Sequence, residues 1–117
     1  MKKDDDYIRD LLFQYEAESD WLLFMPGDTL GAGEEEQRER YHLLLMMDEG
    51  LITSVGRGTI RITSRGHAYI DAIRDDTIWK KTKAGAAKLG GASLALMFDM
   101  ATAYVRQKAS EITGIPL

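Results

Sequence analysis

A short glycine turn between two β-favouring runs constrains the fold of this 117-residue chain more than any other feature. Gly56-Arg57-Gly58 separates Leu51-Ile52 from the run Thr59 to Thr63, and glycines here permit the turn conformations that join antiparallel strands. In the second run Ile60 and Ile62 share one face, and the residues between them share the other. Because so short a hairpin is not stable alone, we expect its apolar face to pack against helices.

Helical patterns flank this hairpin on both sides. The preceding helix is predicted from Glu34 to Gly50, because glutamates suit its positive end and a glycine suits its left-handed end. The following helix is predicted from about Gly66 to Lys83 and is capped by Thr63 or Ser64. The unit from Glu34 to Trp79 therefore predicts a winged helix, in which a helix, a hairpin and a second helix follow one another.

Residues outside this unit complete the predicted architecture. Three aspartates precede apolar residues at helical spacing and predict a first helix from about Asp4 to Glu18. Trp21 to Met25 predicts a brief strand. After a Gly- and Ala-rich break at Ala84 to Gly91, the last helix is predicted from about Ser93 to Ile112. The predicted fold is α+β and mainly α: helix, short strand, helix, β-hairpin wing and helix, with an additional C-terminal helix.

Two parts of the chain are expected to differ in role. Residues 1–83 form the predicted winged-helix domain. Residues 84–117 form a hinge and a helix that pack on that domain or on a partner subunit.

The composition excludes several classes of site. The chain has no cysteine, which rules out disulfides and thiolate metal sites. Its charged first six residues lack the apolar segment of a secretory signal. The most apolar stretch, Ala84 to Val105, contains Lys88 and Asp99 and falls short of the roughly 20 apolar residues that a spanning helix needs. We expect a cytoplasmic protein that does not enter a membrane.

Residues suited to catalysis or metal binding are few. The only histidines are His42 and His67. His67 and Asp71 lie one helical turn apart, but two ligands do not make a closed zinc site, which usually takes four. Asp75 and Asp76 have basic neighbours that favour a solvated or salt-bridged helix face. We expect neither an enzyme nor a bound metal or other cofactor.

Charge is divided unevenly along the chain. Residues 1–50 carry 5 Lys or Arg and 14 Asp or Glu, whereas residues 51–117 carry 10 and 5. The division predicts either two surfaces of opposite charge, one of which meets phosphate, or two halves that pair with each other.

Basic residues of the hairpin form the best candidate binding site. Arg57 lies at the tip, Arg61 on the outward face and Arg65 just past the end, an arrangement that suits contact with a nucleic-acid backbone. Three residues of the preceding helix are predicted to reach toward a groove of duplex DNA: Arg38, Arg40 and His42. Glutamates at the start of that helix oppose this role, because they repel phosphate. The alternative is a solubilising hairpin with ordinary surface arginines.

The helix before the hairpin is apolar over five consecutive residues, Leu43 to Met47, whereas a surface helix normally shows one apolar stripe. The helix is therefore either enclosed by its neighbours or part of an oligomer interface. The candidate interface residues on this helix and on the last one are Leu44, Met47, Met97 and Tyr104.

Several runs of the sequence resemble known proteins. Tyr41-His42-Leu43, Leu45-Met46 and Gly50-Leu51-Ile52 resemble the helix-to-wing passage of small winged-helix regulators. The segment from Ile62 to Trp79, which contains Gly66-His67 and Asp71-Ala72-Ile73-Arg74-Asp75-Asp76, resembles the signature of domain-of-unknown-function family 2513. That family comprises small proteins of bacteria and their phages, and Lys2 to Leu12 resembles its start. The resemblance implies the fold but no activity, because the family has no assigned biochemical function.

Two functions are expected from these observations. The first is a small winged-helix protein of phage or mobile-element origin that binds DNA or regulates transcription. It predicts affinity for duplex DNA that falls steeply with salt. The second is a protein-interaction module on the same scaffold, such as a phage accessory protein that binds or inhibits a host or defence factor. In this second case the acidic first half and the apolar helices supply the contact surfaces, and the chain itself is a possible partner, as a homodimer.

Overall fold

The computed structural model describes all 117 residues. The chain is α+β and mainly helical, with one three-stranded antiparallel sheet, and it divides into two units, residues 1–67 and residues 68–117. The elements in chain order are α1 (Asp5–Ala17), β1 (Leu23–Phe24), α2 (Glu34–Asp48), β2 (Ile52–Ser54), β3 (Thr59–Ile62), α3 (Ser64–Ile73), α4 (Asp76–Lys88) and α5 (Leu94–Thr113). The prediction of a mainly helical α+β fold is confirmed.

α1 begins where Asp4 caps it. The Asp4 carboxylate accepts a hydrogen bond from the Tyr7 amide at 3.0 Å, so it satisfies one of the free N–H groups of the first turn. The helix buries one apolar stripe at helical spacing, formed by Ile8, Leu11, Leu12 and Tyr15. These bounds confirm the predicted first helix.

The sheet has the strand order β1-β3-β2, so the first strand pairs with the second strand of the hairpin. Leu23 lies opposite Ile60 in one pair of strands, and Ile52 lies opposite Ile62 in the other. Ile52 and Ile60 are buried, which follows from the alternation of faces along a strand. The predicted strand near Leu23 and the predicted hairpin are both confirmed.

α2 is only partly enclosed. Leu43 and Met46 are buried, whereas Leu44 is 41% exposed and Met47 is half-buried. The helix ends at Asp48, and Gly50 follows it in the left-handed conformation with φ of 73°, as predicted from the glycine. The apolar run of this helix therefore supplies both core and surface.

α3 begins directly against the hairpin backbone. The Thr63 hydroxyl accepts a hydrogen bond from the Gly66 amide at 3.0 Å, which confirms Thr63 as a cap of this helix. Gly66 is buried, and a Cβ atom there would lie 2.0 Å from the Leu51 carbonyl oxygen and 2.7 Å from the Ile62 side chain. Only glycine fits this contact without a shift of the backbone.

The single helix predicted from Gly66 to Lys83 is wrong, because the chain forms two helices there. α3 ends at Ile73, and Asp75 then caps α4 by accepting hydrogen bonds from the amides of Thr77 and Ile78 at 2.8 and 3.0 Å. The apolar spacing continues across this break and hides it. The break predicted at Ala84 to Gly91 also starts later, because α4 continues to Lys88 through three alanines, whose helix propensity is high, and through Gly85.

The second unit contains the packed pair α4 and α5. α4 buries Ile78, Trp79, Thr82 and Ala86, and α5 buries Leu94, Met97 and Ala101. α5 starts at its cap Ser93 and ends at Gly114, so the predicted last helix is confirmed. The assignment of residues 1–83 and 84–117 to separate domains stays a prediction. None of the helices combines the length and apolar character needed to cross a membrane.

Candidate nucleic-acid interface

The hairpin presents two arginines to solvent without a carboxylate partner. Arg57 lies in the turn between β2 and β3 and makes no hydrogen bond or ion pair within the chain. Arg61 lies on the exposed face of β3 opposite Thr53, and its guanidinium donates to the Ile62 carbonyl at 3.3 Å. The charges of both side chains are therefore available to a ligand.

Arg65 follows on the first turn of α3. Its side chain is exposed, and its Nε donates to the carbonyl oxygen of Glu49 at 3.0 Å. Residues 51–67 contain these three arginines and no Asp or Glu. We call Arg57, Arg61 and Arg65 the hairpin arginines, since the hairpin and the helix start that follows it carry them.

The arginines of α2 are already engaged inside the first unit. Arg38 donates to the Asp4 carboxylate at 2.9 Å, and its guanidinium lies 3.8 Å from the centre of the Tyr7 ring. Arg40 donates to the Pro26 carbonyl at 3.2 Å and lies 3.9 Å from a carboxylate oxygen in the loop before α2. To contact DNA as predicted, these side chains would first have to leave these partners.

His42 is a core residue, so the prediction that it reaches toward a groove is wrong. Its ring has no exposed surface. Nε2 accepts a hydrogen bond from the Asp4 amide at 3.0 Å, and Nδ1 lies 2.8 Å from the Arg38 carbonyl. Because an amide N–H only donates, Nε2 must be the acceptor and Nδ1 must carry the proton. The rings of Tyr7 and Tyr41 meet it edge-on, with centres 4.9 and 5.5 Å away.

A second polar contact joins the first two helices. The Tyr15 hydroxyl donates to the Glu39 carboxylate. Burial and this hydrogen bond both raise the pKa of Tyr15 above its ordinary value. Together with Asp4, Arg38 and His42, this pair forms what we call the α1–α2 network. It ties Arg38 and Asp4, whose side chains remain 37% and 44% exposed, to partners within the chain.

The start of α2 is acidic and solvent-exposed. Glu34, Glu35 and Glu36 occupy its first turn, where the helix dipole favours negative charge. A helix that enters the major groove brings its own start close to phosphates. The carboxylates would repel those phosphates, so α2 is poorly suited to read bases.

A cavity of 430 Å³ opens beside the hairpin, and we call it the Trp21 cavity. Arg61, Ser64 and His67 line it from the hairpin and α3, and Trp21 lines it from the segment before β1. Carboxylates from the end of α1 and the loop after it, Glu16, Glu18 and Asp20, complete its polar lining. Sequence reasoning missed this site because its residues come from separate segments with no common motif.

The four predicted interface residues are placed differently. Leu44 and Met47 line a groove of 220 Å³ together with Met25 and residues of the hairpin. Met97 is fully buried in the second unit, so its prediction as an interface residue is wrong. Tyr104 is half-buried and lines a separate cavity of 340 Å³ with side chains of α4 and α5.

No three or more His, Asp or Glu side chains converge in a way that could hold a metal ion. His67 is exposed and lines the Trp21 cavity, whose lining does not include Asp71.

Comparison with known protein families identifies the family of this chain. The sequence profile of a family described as "Hypothetical protein (DUF2513)" matches residues 2–93. The chain belongs to the DUF2513 family. The match confirms the resemblance seen at Lys2 to Leu12 and at Ile62 to Trp79, and it ends just before α5.

The chain also has a relative among individual proteins. An uncharacterized protein of Haemophilus influenzae is 30% identical over 93 residues, which cover 71% of this chain and 76% of the relative. No solved structure matches the chain.

Proposed function

We propose that this member of the DUF2513 family is a small DNA-binding protein that contacts the phosphate backbone of duplex DNA through its hairpin. The observation that carries this proposal is the exposure of Arg57 and Arg61 without a carboxylate partner. The surrounding segment, residues 51–67, contains no Asp or Glu. A ligand with repeated negative charge gains from these arginines without first breaking an ion pair at either of them.

The order of elements supports a winged-helix type of scaffold. Helix, strand, helix and hairpin follow one another, and the first strand pairs with the returning strand of the hairpin. A winged helix has a further helix between its first strand and the helix that precedes the hairpin. Here the loop between β1 and α2 takes the place of that helix. In this proposal the hairpin is the wing that lies along the backbone.

Sequence preference is expected to be weak. Contacts to phosphate fix the position of a protein on DNA but carry no sequence information. The side chains that would read bases from α2 are either buried, as His42 is, or held by internal partners, as Arg38 and Arg40 are. Any effect on transcription would then follow from occupancy of DNA or from a partner protein.

Salt-titrated binding tests the proposal directly. Fluorescence anisotropy of a labelled duplex of random sequence, measured from about 50 to 200 mM salt, should show affinity that falls linearly on a double-logarithmic plot. The double variant Arg57→Ala/Arg61→Ala should reduce the slope of that plot by about two units, because two phosphate contacts are lost.

A charge-matched control separates this effect from net charge. Lys88→Ala/Arg106→Ala removes two positive charges from exposed residues of the second unit that make no hydrogen bond or ion pair. It should leave the slope close to that of the unaltered protein. Equal affinities and slopes for the two double variants would overturn the proposal.

A second candidate function is a protein-interaction module, and one observation favours it. Residues 21–30 expose several large apolar side chains, among them Trp21, Phe24 at 87% and Leu30. Clusters of this kind mark contact surfaces more often than isolated apolar residues do. The partner would be a host or phage protein, or a second copy of this chain.

Light scattering and a pull-down from host lysate test this second candidate. Phe24→Ser should weaken self-association or partner capture. Leu89→Ser changes an exposed leucine of the second unit and serves as the control. A monomer that captures no partner but binds duplex DNA would contradict the interaction module.

A further inference from the structure

The Trp21 cavity contains groups that the phosphate contact does not use. Trp21 is 68% exposed, makes no hydrogen bond within the chain, and contributes an aromatic ring to the cavity lining. Glu18 and Asp20 line the same cavity, and neither carboxylate makes an ion pair or a side-chain hydrogen bond. Arg61, one of the hairpin arginines, is part of the same lining. Aromatic, anionic and cationic groups therefore meet at one opening.

These three groups match the parts of a single nucleotide. A nucleobase stacks on an aromatic side chain whatever its sequence. Carboxylates accept hydrogen bonds from exocyclic amino groups, such as N4 of cytosine. An arginine binds a phosphate oxygen through charge-assisted hydrogen bonds. The cavity volume of 430 Å³ lies in the range of about 300 to 1,000 Å³ that is usual for small-molecule sites.

We propose that the Trp21 cavity accepts one unpaired nucleobase of a single-stranded segment of nucleic acid, with the adjoining phosphate on Arg61. The proposal rests on the phosphate contact of Arg61 and names the form of nucleic acid that the site prefers. Bases stacked in a duplex cannot enter a cavity of this kind unless they leave the stack. The preferred ligand is therefore a single strand, or a duplex with a single-stranded end.

A basic peptide is the competing ligand, since three carboxylates line the cavity. Glu16 already has a partner within the chain, whereas Glu18 and Asp20 would attract a lysine or arginine side chain, which Arg61 at the same opening would repel. A nucleotide satisfies both, since its amino group and its phosphate lie at opposite ends. The carboxylates also act as a filter, because they attract cytosine and adenine but not thymine, which has no exocyclic amino group.

Quenching of tryptophan fluorescence tests the site. The chain has two tryptophans, and Trp79 is only 3% exposed, so a base that stacks in the cavity quenches Trp21. Oligonucleotides of about six deoxycytidines, a length within the usual footprint of single-strand binders, should quench it and bind more tightly than the same length of thymidines. Trp21→Ala should lower the affinity for the cytidine strand about tenfold and leave the affinity for blunt duplex unchanged.

Two variants separate the roles of the groups. Trp21→Phe keeps an aromatic ring and should retain most of the affinity for the cytidine strand. Phe24→Ala removes an exposed aromatic ring outside the cavity and should leave that affinity unchanged. Glu18→Gln/Asp20→Asn should raise the affinity for thymidine strands and abolish the preference for cytidine. Equal binding of the two strands by the unaltered protein would overturn the proposed filter.

The outcomes distinguish this inference from the proposed function. If Arg57→Ala/Arg61→Ala weakens duplex binding while Trp21→Ala leaves the single strand unaffected, the cavity proposal is wrong and the hairpin proposal stands. If single strands bind in a Trp21-dependent way while duplex does not bind, the hairpin proposal fails and the cavity stands. If a lysine-rich peptide alone quenches Trp21, and Glu18→Gln/Asp20→Asn abolishes this, the cavity serves a basic peptide and the nucleobase proposal is wrong.

Discussion

α2 and the hairpin both carry arginines, but those of α2 bind groups within the chain, whereas Arg57 and Arg61 of the hairpin are open to solvent. Arg38 of α2 is held by Asp4 and by the ring of Tyr7, whereas Arg57 and Arg61 of the hairpin meet no carboxylate. The difference arises because folding brings α1, with its aspartates, against α2, while residues 51–67 contain no acid of their own. Whether the charge of a basic residue is available to a ligand therefore depends on the residues that contact it in the folded chain, and the sequence alone does not show these contacts.

The two regions also differ in what holds them together. The α1–α2 network relies on directional polar contacts between side chains. The hairpin and the start of α3 rely on close backbone approach at Gly66. We therefore expect the first region to respond to loss of a hydrogen bond and to pH, and the second to respond to added volume.

The largest effect is expected at the close approach. Gly66→Ala places a Cβ 2.0 Å from the Leu51 carbonyl oxygen, so it should lower the free energy of unfolding by about 3 kcal/mol. Gly33→Ala is the control, because its Cβ would meet no atom within 4 Å. Urea unfolding measures both. A similar, small loss of stability in the two variants would show that the hairpin backbone shifts at little cost. The expected difference between the two regions would then be wrong.

A smaller loss is expected when the network loses its imidazole. His42→Leu leaves the Asp4 amide without its acceptor and should lower the free energy of unfolding by about 2 kcal/mol. DNA affinity of the folded variant should not change, since the ring is buried. His67→Leu, an exposed histidine, should change stability by less than about 0.5 kcal/mol. Equal stability of both variants in thermal unfolding would mean that the network contributes little.

The contribution of Tyr15 to the stability of the α1–α2 network is expected to depend on pH. Tyr15→Phe removes the hydrogen bond to Glu39 and should cost about 1.5 kcal/mol at neutral pH. The pKa of Tyr15 is raised in the folded state, so its contribution is complete below the ordinary tyrosine pKa of about 10 and declines as the pH rises above it. The difference between the two proteins should therefore shrink in alkaline solution. Tyr104→Phe is the control, and a constant difference across pH would refute this reasoning.

The smallest effect on stability is expected from the exposed ion pair between Lys108 and Asp75 in the second unit. This pair lies outside the α1–α2 network. A hydrogen bond from Lys108, helped by the Ile78 amide, lowers the pKa of Asp75. Its stabilising contribution is therefore present above the ordinary aspartate pKa of about 3.9 and is lost as the pH falls through the folded value. Asp75→Asn keeps the helix cap but should be slightly less stable at neutral pH only. Asp99→Asn is the control, and a difference that persists in acid would exclude the ion pair as its cause.

Local signals made much of the fold predictable from the sequence. The glycine turn predicted the hairpin, and the capping residues Asp4 and Thr63 marked the starts of two helices. The break between α3 and α4 was missed because Asp75 acts as a cap within an unbroken apolar pattern. A local pattern cannot distinguish a surface aspartate from one whose carboxylate turns back onto the following amides.

The candidate site was less predictable because it depends on distant contacts. The exposure of the hairpin arginines could be predicted, because each of them lies on the hairpin or just past its end. The inward role of Arg38 and His42 depends on Asp4, which lies 34 and 38 residues away along the chain. The Trp21 cavity likewise needs α1, the segment before β1, the hairpin and α3 to be assembled before its residues meet.

The hydrogen bond from the Asp4 amide to His42 has a consequence for measurement in solution. Its acceptor is a side-chain nitrogen with no exposed surface, so this proton exchanges with solvent only when the contact between Asp4 and His42 opens. The amides at the start of a helix normally have no intrahelical acceptor and exchange readily. Slow deuterium uptake at Asp4 would instead report opening of the contact between the start of α1 and α2.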